Sequence, residues 1–250
     1  MASSLSDLLR PAASLESTLP DEFDESLGRQ AAVSTALTSV FRGQFCDLIL
    51  PGRKTTSFHK HQVIYDLGDT ERTLHFISDG FVKLGSITPG GQEVIYDVRK
   101  GGDVIGELCA SEPARRDRAV ALEQTAAISV PIDEIMDVLS TKPDLIAVLV
   151  DVFCRALKEA YAQVNSLATD DTAHRLIKVL IGLATKLGQK SGSLVEIPTY
   201  LTQEEIAQMA AARRERISTV LNSLRRRGMV QYSTRGHLMV DMRALELHVA

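Results

Sequence analysis

The chain has 250 residues, with 28 Lys and Arg against 32 Asp and Glu, and a formal net charge of −4. Its 44% hydrophobic and 24% charged residues are typical of a globular protein and exclude collagen-like, purely coiled-coil and wholly disordered chains. No apolar run approaches the roughly 20 residues that span a bilayer, and the start lacks a signal-peptide pattern, so we expect a cytoplasmic protein without membrane contact.

The first segment differs in composition from the rest of the chain. Residues 1–45 are rich in Ser and Ala and contain an acidic patch at 21–25. This composition predicts an N-terminal extension that is partly mobile. Within it, residues 31–41 are expected to form one short helix.

Short strands are predicted from residue 46 to about residue 135. Runs rich in β-branched and aromatic residues end at Gly, Asp or Pro, where tight turns form readily. These runs cover residues 47–52, 57–69, 73–87, 93–108 and 118–132. Short strands at nearly regular spacing are typical of an antiparallel barrel or sandwich.

Helical periodicity follows the strands. A short helix is predicted at 133–140 and a long helix at 144–169. In the long helix, spacings of three and four define a seam of about three heptads. The seam consists of Ile146, Leu149, Phe153, Ala156, Ala160, Gln163 and Leu167. We expect this seam to form a homodimer; the alternative is that it only covers the barrel.

The C-terminal third is basic, whereas the rest of the chain is acidic. Residues 171–250 contain 12 Lys and Arg and 7 Asp and Glu, against 16 and 25 elsewhere. This asymmetry predicts a polyanionic partner for that third. A helix is predicted at 170–187, a loop at 188–193, and strands at 194–198 and 231–241.

Residues 201–230 have the layout of a helix-turn-helix. Thr202 is expected to cap the first helix, small residues at 210–212 suit the turn, and the second helix is predicted at 213–227. Its inward-facing residues are Ile217, Val220, Leu221 and Leu224. The polar residues left facing outward near its N-terminal end are Arg213, Arg214, Glu215, Ser218 and Thr219.

A recognition helix inserts this N-terminal end into the major groove. Arginine bonds bidentately to guanine and glutamate accepts from cytosine, so we predict DNA contacts by these residues and by Thr202. The alternative is a solvated helix face. Gly228 ends the helix and Gly236 turns a hairpin that forms a wing, where Arg235 and His237 are expected to contact phosphates.

The order of these features resembles one family. Residues 45–245 resemble the cyclic AMP receptor protein/FNR (Crp/Fnr) family of bacterial transcription regulators. The similar motifs are YDLGDTERTLHFISDGFVKL, the segment at 102–108, and the pair Arg214 and Glu215. The resemblance implies an α+β fold in which an extension at 1–45 precedes three parts. These are an N-terminal double-stranded β-roll like a cyclic-nucleotide-binding domain (46–135), a dimerisation helix region (136–169) and a C-terminal winged helix-turn-helix (170–250).

The resemblance also implies an effector site in the roll. In family members that bind a cyclic nucleotide, a Gly-Glu-Leu turn presents N–H groups to the phosphate and its glutamate accepts from the ribose 2′-hydroxyl. An arginine several residues later neutralises the phosphate. Gly106, Glu107, Leu108 and Arg115 match these positions.

Two of the next positions depart from the pattern. Arg116 and Asp117 stand where the family has a small hydroxyl residue and alanine, and Tyr161 stands near the expected adenine position. The candidate effector residues are therefore Gly106, Glu107, Leu108, Arg115, Arg116 and Tyr161. The effector is either a cyclic nucleotide (cyclic AMP or cyclic GMP), another small ligand, or none, with regulation then by abundance or protein contact.

Other sensing chemistries have less support. Cys46, Cys109 and Cys154 are widely scattered, which excludes an iron–sulfur cluster and predicts three reduced thiols. Gly106 and Leu108 stand where haem-based relatives have ligands, so haem would need another His.

An enzyme of the cupin type is the main alternative class. His59 and His61 would share one strand face, with Asp66 nearby as a carboxylate ligand. The further histidine that this pattern needs is not apparent, so we expect no enzyme and no metal. A third class is a regulatory subunit whose roll binds only a protein.

The expected partners are double-stranded DNA, a second copy of the chain and RNA polymerase. Effector or protein contact in the roll would bias the hinge near 167–171 and the spacing of the two recognition helices. Activation and repression both stay open.

Overall fold

The computed structural model describes residues 46–111, 114–199 and 201–249. The predicted extension at 1–45, with its helix at 31–41, lies outside the described residues. The described part contains two antiparallel sheets that form a roll, two helices, and a C-terminal unit with further helices and a third sheet. The predicted α+β fold is confirmed.

Eight strands form the β-roll. They are β1 Thr55–Phe58, β2 Val63–Tyr65, β3 Thr73–Asp79, β4 Phe81–Ile87, β5 Glu93–Lys100, β6 Val104–Ile105, β7 Arg118–Ala121 and β8 Thr125–Pro131. They pair in the orders β1-β8-β3-β6 and β2-β7-β4-β5, all antiparallel. Apolar side chains such as Ile77, Val82 and Ile105 are buried together, and this packing holds the roll closed.

Turns divide several of the predicted strand runs into two strands. Some of these turns contain a glycine and others do not. Gly80 splits the run 73–87 into β3 and β4, with a φ of 90° that glycine adopts without strain. A Cβ there would lie 2.5 Å from Thr125 Oγ1, so glycine is also required for space.

Two predicted strands are wrong. Residues 47–52 are not a strand, because Cys46–Ile49 form a short helix, α1, that buries Ile49 against the roll. The run 57–69 is broken between β1 and β2, where His61 has a φ of 66°. A strand cannot continue through a residue in that left-handed conformation.

Two helices follow the roll. Helix α2 spans Ile132–Thr141 and helix α3 spans Asp144–Thr169, so the predicted bounds of the long helix are confirmed. A second apolar cluster attaches α2 and the start of α3 to the roll through Leu139 and Leu145. In the described ranges, no helix is both long and apolar enough to cross a membrane.

The C-terminal unit combines four helices with a four-stranded sheet. Its elements are α4 Thr172–Leu187, β9 Gln189–Ser191, β10 Leu194–Glu196, α5 Gln203–Met209, α6 Arg214–Arg226, β11 Val230–Tyr232, β12 Leu238–Val240 and α7 Met242–Val249. The sheet has the order β11-β12-β10-β9. The predicted loop at 188–193 is therefore wrong, since β9 pairs there with β10. Helix α7 was not predicted.

The turn between α5 and α6 contains a strained residue. Ala211 has a φ of 47°, in the left-handed region that costs a residue with a Cβ about 1–2 kcal/mol. We expect Ala211→Gly to raise the free energy of unfolding by about 0.5–1 kcal/mol, after the added chain entropy of the unfolded state is subtracted. Urea unfolding measures this change. Ala212→Gly is the control and should lower stability; equal effects at the two positions would contradict the assignment of strain to Ala211.

Candidate DNA-binding surface and sensor site

The first helix of the helix-turn-helix begins with a capping box. Thr202 Oγ1 accepts a hydrogen bond from the Glu205 backbone N–H at 3.1 Å, and Glu205 Oε2 accepts from the Thr202 N–H at 2.9 Å. These bonds satisfy two N–H groups at the start of α5. The expected capping role of Thr202 is confirmed.

The second helix presents charged residues at its N-terminal end. Arg213, Arg214, Glu215 and Arg216 are consecutive and all exposed, with Arg213 in the extended N-cap conformation. Arg216 was not singled out from the sequence. Three guanidinium groups and one carboxylate therefore stand together at the start of α6.

The remaining residues of α6 divide between a buried and an exposed face. Ile217, Leu221 and Leu224 are buried as predicted, and Val220 is half-buried. Thr219 is exposed, but its hydroxyl donates to the Glu215 carbonyl at 2.9 Å; Ser218 is half-buried. The buried face fixes the helix, and its charged N-terminal end is exposed.

An arginine on α4 fixes the turn before the recognition helix. Arg175 donates from Nε to the Ala210 carbonyl at 2.9 Å and from Nη2 to the Ala211 carbonyl at 3.3 Å. Its Nη1 donates to the Asp170 carbonyl at 2.9 Å, at the end of α3. One side chain thus joins the predicted hinge at 167–171 to the turn that orients α6.

The hairpin of β11 and β12 forms the predicted wing. Arg235 is exposed at its tip, beside Gly236 with a φ of 80°. His237 is half-buried, and its Nδ1 lies 2.9 Å from Glu196 Oε1 on β10. The His237 ring is therefore held within the sheet, which leaves Arg235 as the exposed cation of the wing tip.

The long helix α3 carries an exposed apolar face. Its large exposed side chains recur every three or four residues: Ile146, Val150, Phe153, Leu157, Tyr161, Val164 and Leu167. Their exposed fractions, between 45% and 62%, are high for apolar side chains on one helix face. At about 100° per residue this face runs through Leu157 and Val164.

The predicted seam matches this face only in part. The side chain of Leu149 lies outside the described residues, and Ala160 lies within the apolar face. Ala156 and Gln163 lie at its edge, and the Gln163 amide donates to the Tyr96 carbonyl of the roll at 3.4 Å. Gln163 therefore contacts the roll of its own chain.

The candidate effector turn follows β6. Gly106 has a φ of 91°, and the 3-10 helix Glu107–Ala110 begins immediately after it. A Cβ at Gly106 would lie 2.5 Å from Arg115 Nη1 and 3.0 Å from the Thr73 carbonyl. Leu108 is exposed at the surface of this turn.

Arg115 is bound inside the roll. Its side chain is 3% exposed, its Nη1 donates to the Gly106 carbonyl at 2.9 Å, and its Nη2 donates to the Thr73 carbonyl at 2.5 Å. The guanidinium lies 4.0 Å from the centre of the Tyr65 ring. The Tyr65 hydroxyl donates to Asp117 Oδ2 at 2.8 Å.

The surroundings of Tyr65 are dry and charged. Burial, followed by Asp117 and Glu107, raises the pKa of Tyr65 far above its ordinary value. Burial, together with the charge of Arg115, lowers the pKa of His75 to about 4, so its ring is neutral at pH 7. Asp117 is 4% exposed and its Oδ1 has no hydrogen-bond partner within the described residues.

The predicted effector residues are only partly brought together. Gly106 and Arg115 are in direct contact, while Glu107 lies 3.5 Å from Arg99 Nη2. Arg116 and Tyr161 are exposed. Asp117 and Tyr65, which surround Arg115, were not predicted as site residues, although the departure at Asp117 was visible in the sequence.

The histidine arrangement that the alternative metal site requires is not formed. His59 and His61 lie in the turn between β1 and β2 and not on one strand face. Among the described residues, no three His, Cys, Asp or Glu side chains are grouped to hold a metal ion. Cys109 is buried and Cys154 is exposed.

A roll with an inward-turned arginine, a long helix and a winged helix-turn-helix together define a DNA-binding transcription regulator with a sensor domain. A model of the cyclic nucleotide-binding domain matches residues 55–142, and a model of the Crp-like helix-turn-helix domain matches residues 174–247. The chain belongs to the Crp/Fnr family of bacterial transcription regulators, as the resemblance implied.

Curated relatives agree with this assignment, and a solved structure shows the same fold. The chain is 28% identical over 189 residues to the CRP-like cAMP-activated global transcriptional regulator of Mycobacterium tuberculosis (strain ATCC 25618 / H37Rv), covering 75% of this chain and 84% of that protein. It is 26% identical over 197 residues to the global nitrogen regulator of Synechocystis sp. (strain PCC 6803), covering 78% and 87%. The structure of FixK2 from Bradyrhizobium japonicum has the same fold, with a TM-score of 0.69, 17% identity and coverage of 79% and 98%.

Proposed function

We propose that this regulator acts as a homodimer that binds a palindromic operator, with the N-terminal end of α6 from each protomer in the major groove. The observation that carries the proposal is the run of exposed charged residues at 213–216, above a helix face that is buried. Symmetric half-sites follow from a two-fold dimer. Fluorescence anisotropy with a labelled duplex and excess random DNA tests whether binding is sequence-specific.

The residues at 213–219 differ in what they can recognise. Arg214 and Glu215 match the family pair that reads one G·C base pair, and arginine suits the O6 and N7 of guanine. Thr219 stands where many members have a second arginine, and threonine can contact a thymine methyl or a phosphate but cannot form the bidentate pair with guanine. We therefore expect one strongly specified G·C pair in each half-site and relaxed preference at the outer position.

Phosphate contacts hold the protein on DNA without reading its sequence. Arg213, Ser218 and Arg235 are proposed to bind the backbone, Arg235 from the wing tip. Thr202, whose N–H and hydroxyl both donate to Glu205 Oε2 at 2.9 Å, is proposed to cap α5 and not to donate to a phosphate. His237, whose ring is bound to Glu196, is proposed to support the wing instead.

The exposed face of α3 is proposed as the dimer interface. Seven large apolar side chains on one face are costly to leave in water, and an identical helix offers the same spacing in return. We include Leu157 and Val164 at the centre of this interface.

We expect Leu157→Glu to convert the dimer into a monomer, because two carboxylates would face each other in an apolar interface. Loss of bivalent binding should lower operator affinity by about 100-fold or more. Sedimentation velocity and anisotropy measure the two effects. Lys158→Glu, on an exposed neighbouring residue that points away from this face, is the control and should keep the dimer. A dimeric Leu157→Glu protein would contradict the assignment.

A cyclic nucleotide fits the turn of the sensor site but not the surroundings of its arginine. Gly106 and Glu107 retain the turn that the family uses for phosphate and ribose. The cationic group fits poorly, because Arg115 Nη1 and Nη2 each donate to a carbonyl and only its buried Nε has no partner among the described residues. Asp117 adds a buried carboxylate two residues further along the chain. A phosphate would bring a further negative charge into this dry environment. We propose that Asp117 weakens cyclic-nucleotide binding and favours another effector or none.

Replacing Asp117 with Ala, the family residue, is expected to raise affinity for cyclic AMP by about 10-fold or more, because one buried carboxylate near Arg115 is removed. The loss of the Tyr65 hydrogen bond should cost about 1–3 kcal/mol of stability. Titration calorimetry with cyclic AMP and cyclic GMP measures binding. Asp133→Ala, at an exposed carboxylate on α2, is the control. Tight binding by the unaltered protein, or no gain in the variant, would contradict this role of Asp117.

We further propose that the protein works in the cytoplasm, where the bacterial chromosome lies, that it contacts RNA polymerase, and that it is not an enzyme. The support is its membership of a family of transcription regulators. Transcription from a promoter with its operator, in the presence of purified polymerase, distinguishes activation from repression.

A further inference from the structure

The C-terminal unit is packed directly on the roll. Val98 of β5 and Leu122, which follows β7, belong to the same buried apolar cluster as Leu183 of α4 and Ile206 of α5. The position of the helix-turn-helix relative to the roll is therefore set by direct contact as well as by α3. The polar groups around this junction then decide how firmly that position is held.

An ion pair and a hydrogen bond join the end of α4 to the roll. Lys186 Nζ lies 2.6 Å from Asp97 Oδ1 and 2.5 Å from Asp97 Oδ2 on β5. Lys100 Nζ donates to the Lys186 carbonyl at 2.6 Å. The side chains of Lys186 and Asp97 are 14% and 28% exposed, so solvent screens this pair less than a surface pair.

A second pair ties the helix-turn-helix itself to the roll. Lys83 Nζ of β4 lies 3.2 Å from Glu205 Oε1, the glutamate of the α5 capping box. Lys83 also lies 3.2 Å from Glu93 Oε1 on β5. The start of α5 is thus attached to the roll through a side chain that also caps the helix.

An arginine connects the junction to the sensor turn. Arg99 Nε lies 2.8 Å from Asp97 Oδ2, and Arg99 Nη2 lies 3.5 Å from Glu107 Oε1. Glu107, Arg99, Asp97 and Lys186 therefore form a chain of alternating charges from the sensor turn to the DNA-binding unit. We call these four residues the charge chain.

Two members of the charge chain each have two partners: Asp97 contacts both Lys186 and Arg99, and Arg99 contacts both Asp97 and Glu107. Burial alone would raise the pKa of Asp97, but Lys186 and Arg99 outweigh it and hold that pKa below its ordinary value. Burial disfavours the charge of Arg99, and several carboxylates support it: Asp97 and Glu107 first, followed by Asp103 and Glu159. Arg99 Nε and Lys186 Nζ both contact Asp97 Oδ2. If Glu107 is neutralised or bound elsewhere, Arg99 loses one competing carboxylate and competes more strongly with Lys186 for that oxygen.

We propose that Asp97 and Arg99 are positioning residues for DNA binding, which hold α4 on the roll in the orientation that the operator requires, and that Glu107 sets the strength of this hold. Without these contacts the C-terminal unit can adopt other orientations relative to the roll. Operator binding then has to select one orientation, which lowers the affinity. The proposal rests on the DNA-binding role of α6 and names how the sensor turn is coupled to it.

The test uses the full chain and its selected operator, with random duplex DNA for comparison. We expect Lys186→Met to lower operator affinity about 10-fold and Glu107→Gln to lower it about threefold, with affinity for random DNA unchanged. In the double variant Glu107→Gln should add nothing, because the chain is already broken at Lys186. Protease cleavage near the hinge at 167–171 should become faster in each variant.

Matched variants separate positioning from general damage. Lys186→Arg keeps the positive charge and should bind the operator as tightly as the unaltered protein. Glu134→Gln and Lys142→Met remove one charge each at exposed residues away from the junction, and should not change operator affinity. Additive losses in the double variant, or unchanged operator affinity in Lys186→Met, would overturn the charge chain. If the unaltered protein bound no operator, the proposed DNA-binding role would fail instead, so the two failures are distinguishable.

Discussion

Replacing Arg214 with Ala is expected to weaken operator binding by about 1–3 kcal/mol at the G·C pair of each half-site, roughly a 5- to 150-fold loss of affinity per half-site. Arg214 is exposed at the first position of α6, the end that a recognition helix inserts into the major groove. If water replaces the bidentate contact with guanine, the protein no longer discriminates between guanine and the other bases at that position. The affinity is measured by anisotropy at fixed salt concentration, because phosphate contacts make it salt-dependent.

The pattern of the loss distinguishes a base contact from a phosphate contact. On operators changed one base pair at a time, the unaltered protein should discriminate at one G·C pair per half-site, and Arg214→Ala should lose discrimination at that pair only. Arg226→Ala, at the opposite end of α6, is the control and should leave the base preference unchanged. An equal loss on every operator would identify Arg214 as a phosphate contact and contradict this assignment.

Replacing Arg175 with Met is expected to lower both stability and operator affinity. Arg175 donates to three carbonyls, at Asp170, Ala210 and Ala211, and hydrogen bonds from a charged group contribute about 1.5–3 kcal/mol each. Since part of this side chain is open to solvent, we expect a loss of about 2–4 kcal/mol in the free energy of unfolding. Operator affinity should fall at least about 10-fold, because the turn before α6 loses its support.

Conservative and neighbouring variants test this positioning role. Arg175→Lys should recover little, because one ammonium group cannot reproduce the three-way contact of a planar guanidinium. Lys178→Met, one turn further along α4, removes an ion pair between the exposed Lys178 and the half-buried Asp170 but none of the bonds to the turn before α6. This variant should change both measurements much less than Arg175→Met. If Arg175→Met folded less stably but bound the operator as tightly as the unaltered protein, the residue would be structural only.

Helices were predicted more accurately than strands, for a physical reason. The bounds of α3 follow from apolar residues at spacings of three and four after Pro143, and the start of α5 follows from Thr202 and Glu205 at capping-box spacing. A short apolar run lacks a decisive period, so the sequence favours a strand at 47–52 although Cys46–Ile49 are helical. The turn at His61 has no glycine to mark it.

The sequence predicted the exposed residues of the candidate DNA-binding surface, but not the contacts that hold this surface in position. The side chains at 213–216 belong to one helix end, so periodicity alone places them outward. Arg175 contacts Ala210, 35 residues away, and Lys186 contacts Asp97, 89 residues away. Contacts at such separations depend on how complete domains pack, which single-sequence periodicity does not encode.

Selection of binding sites by the purified protein from duplex DNA with a randomised core tests the central claim most directly. The account predicts enrichment of a palindrome whose half-sites lie about 10–10.5 base pairs apart, or a multiple of that spacing, each with one fixed G·C pair. Enrichment of no sequence, or of a single unrepeated half-site, would contradict it.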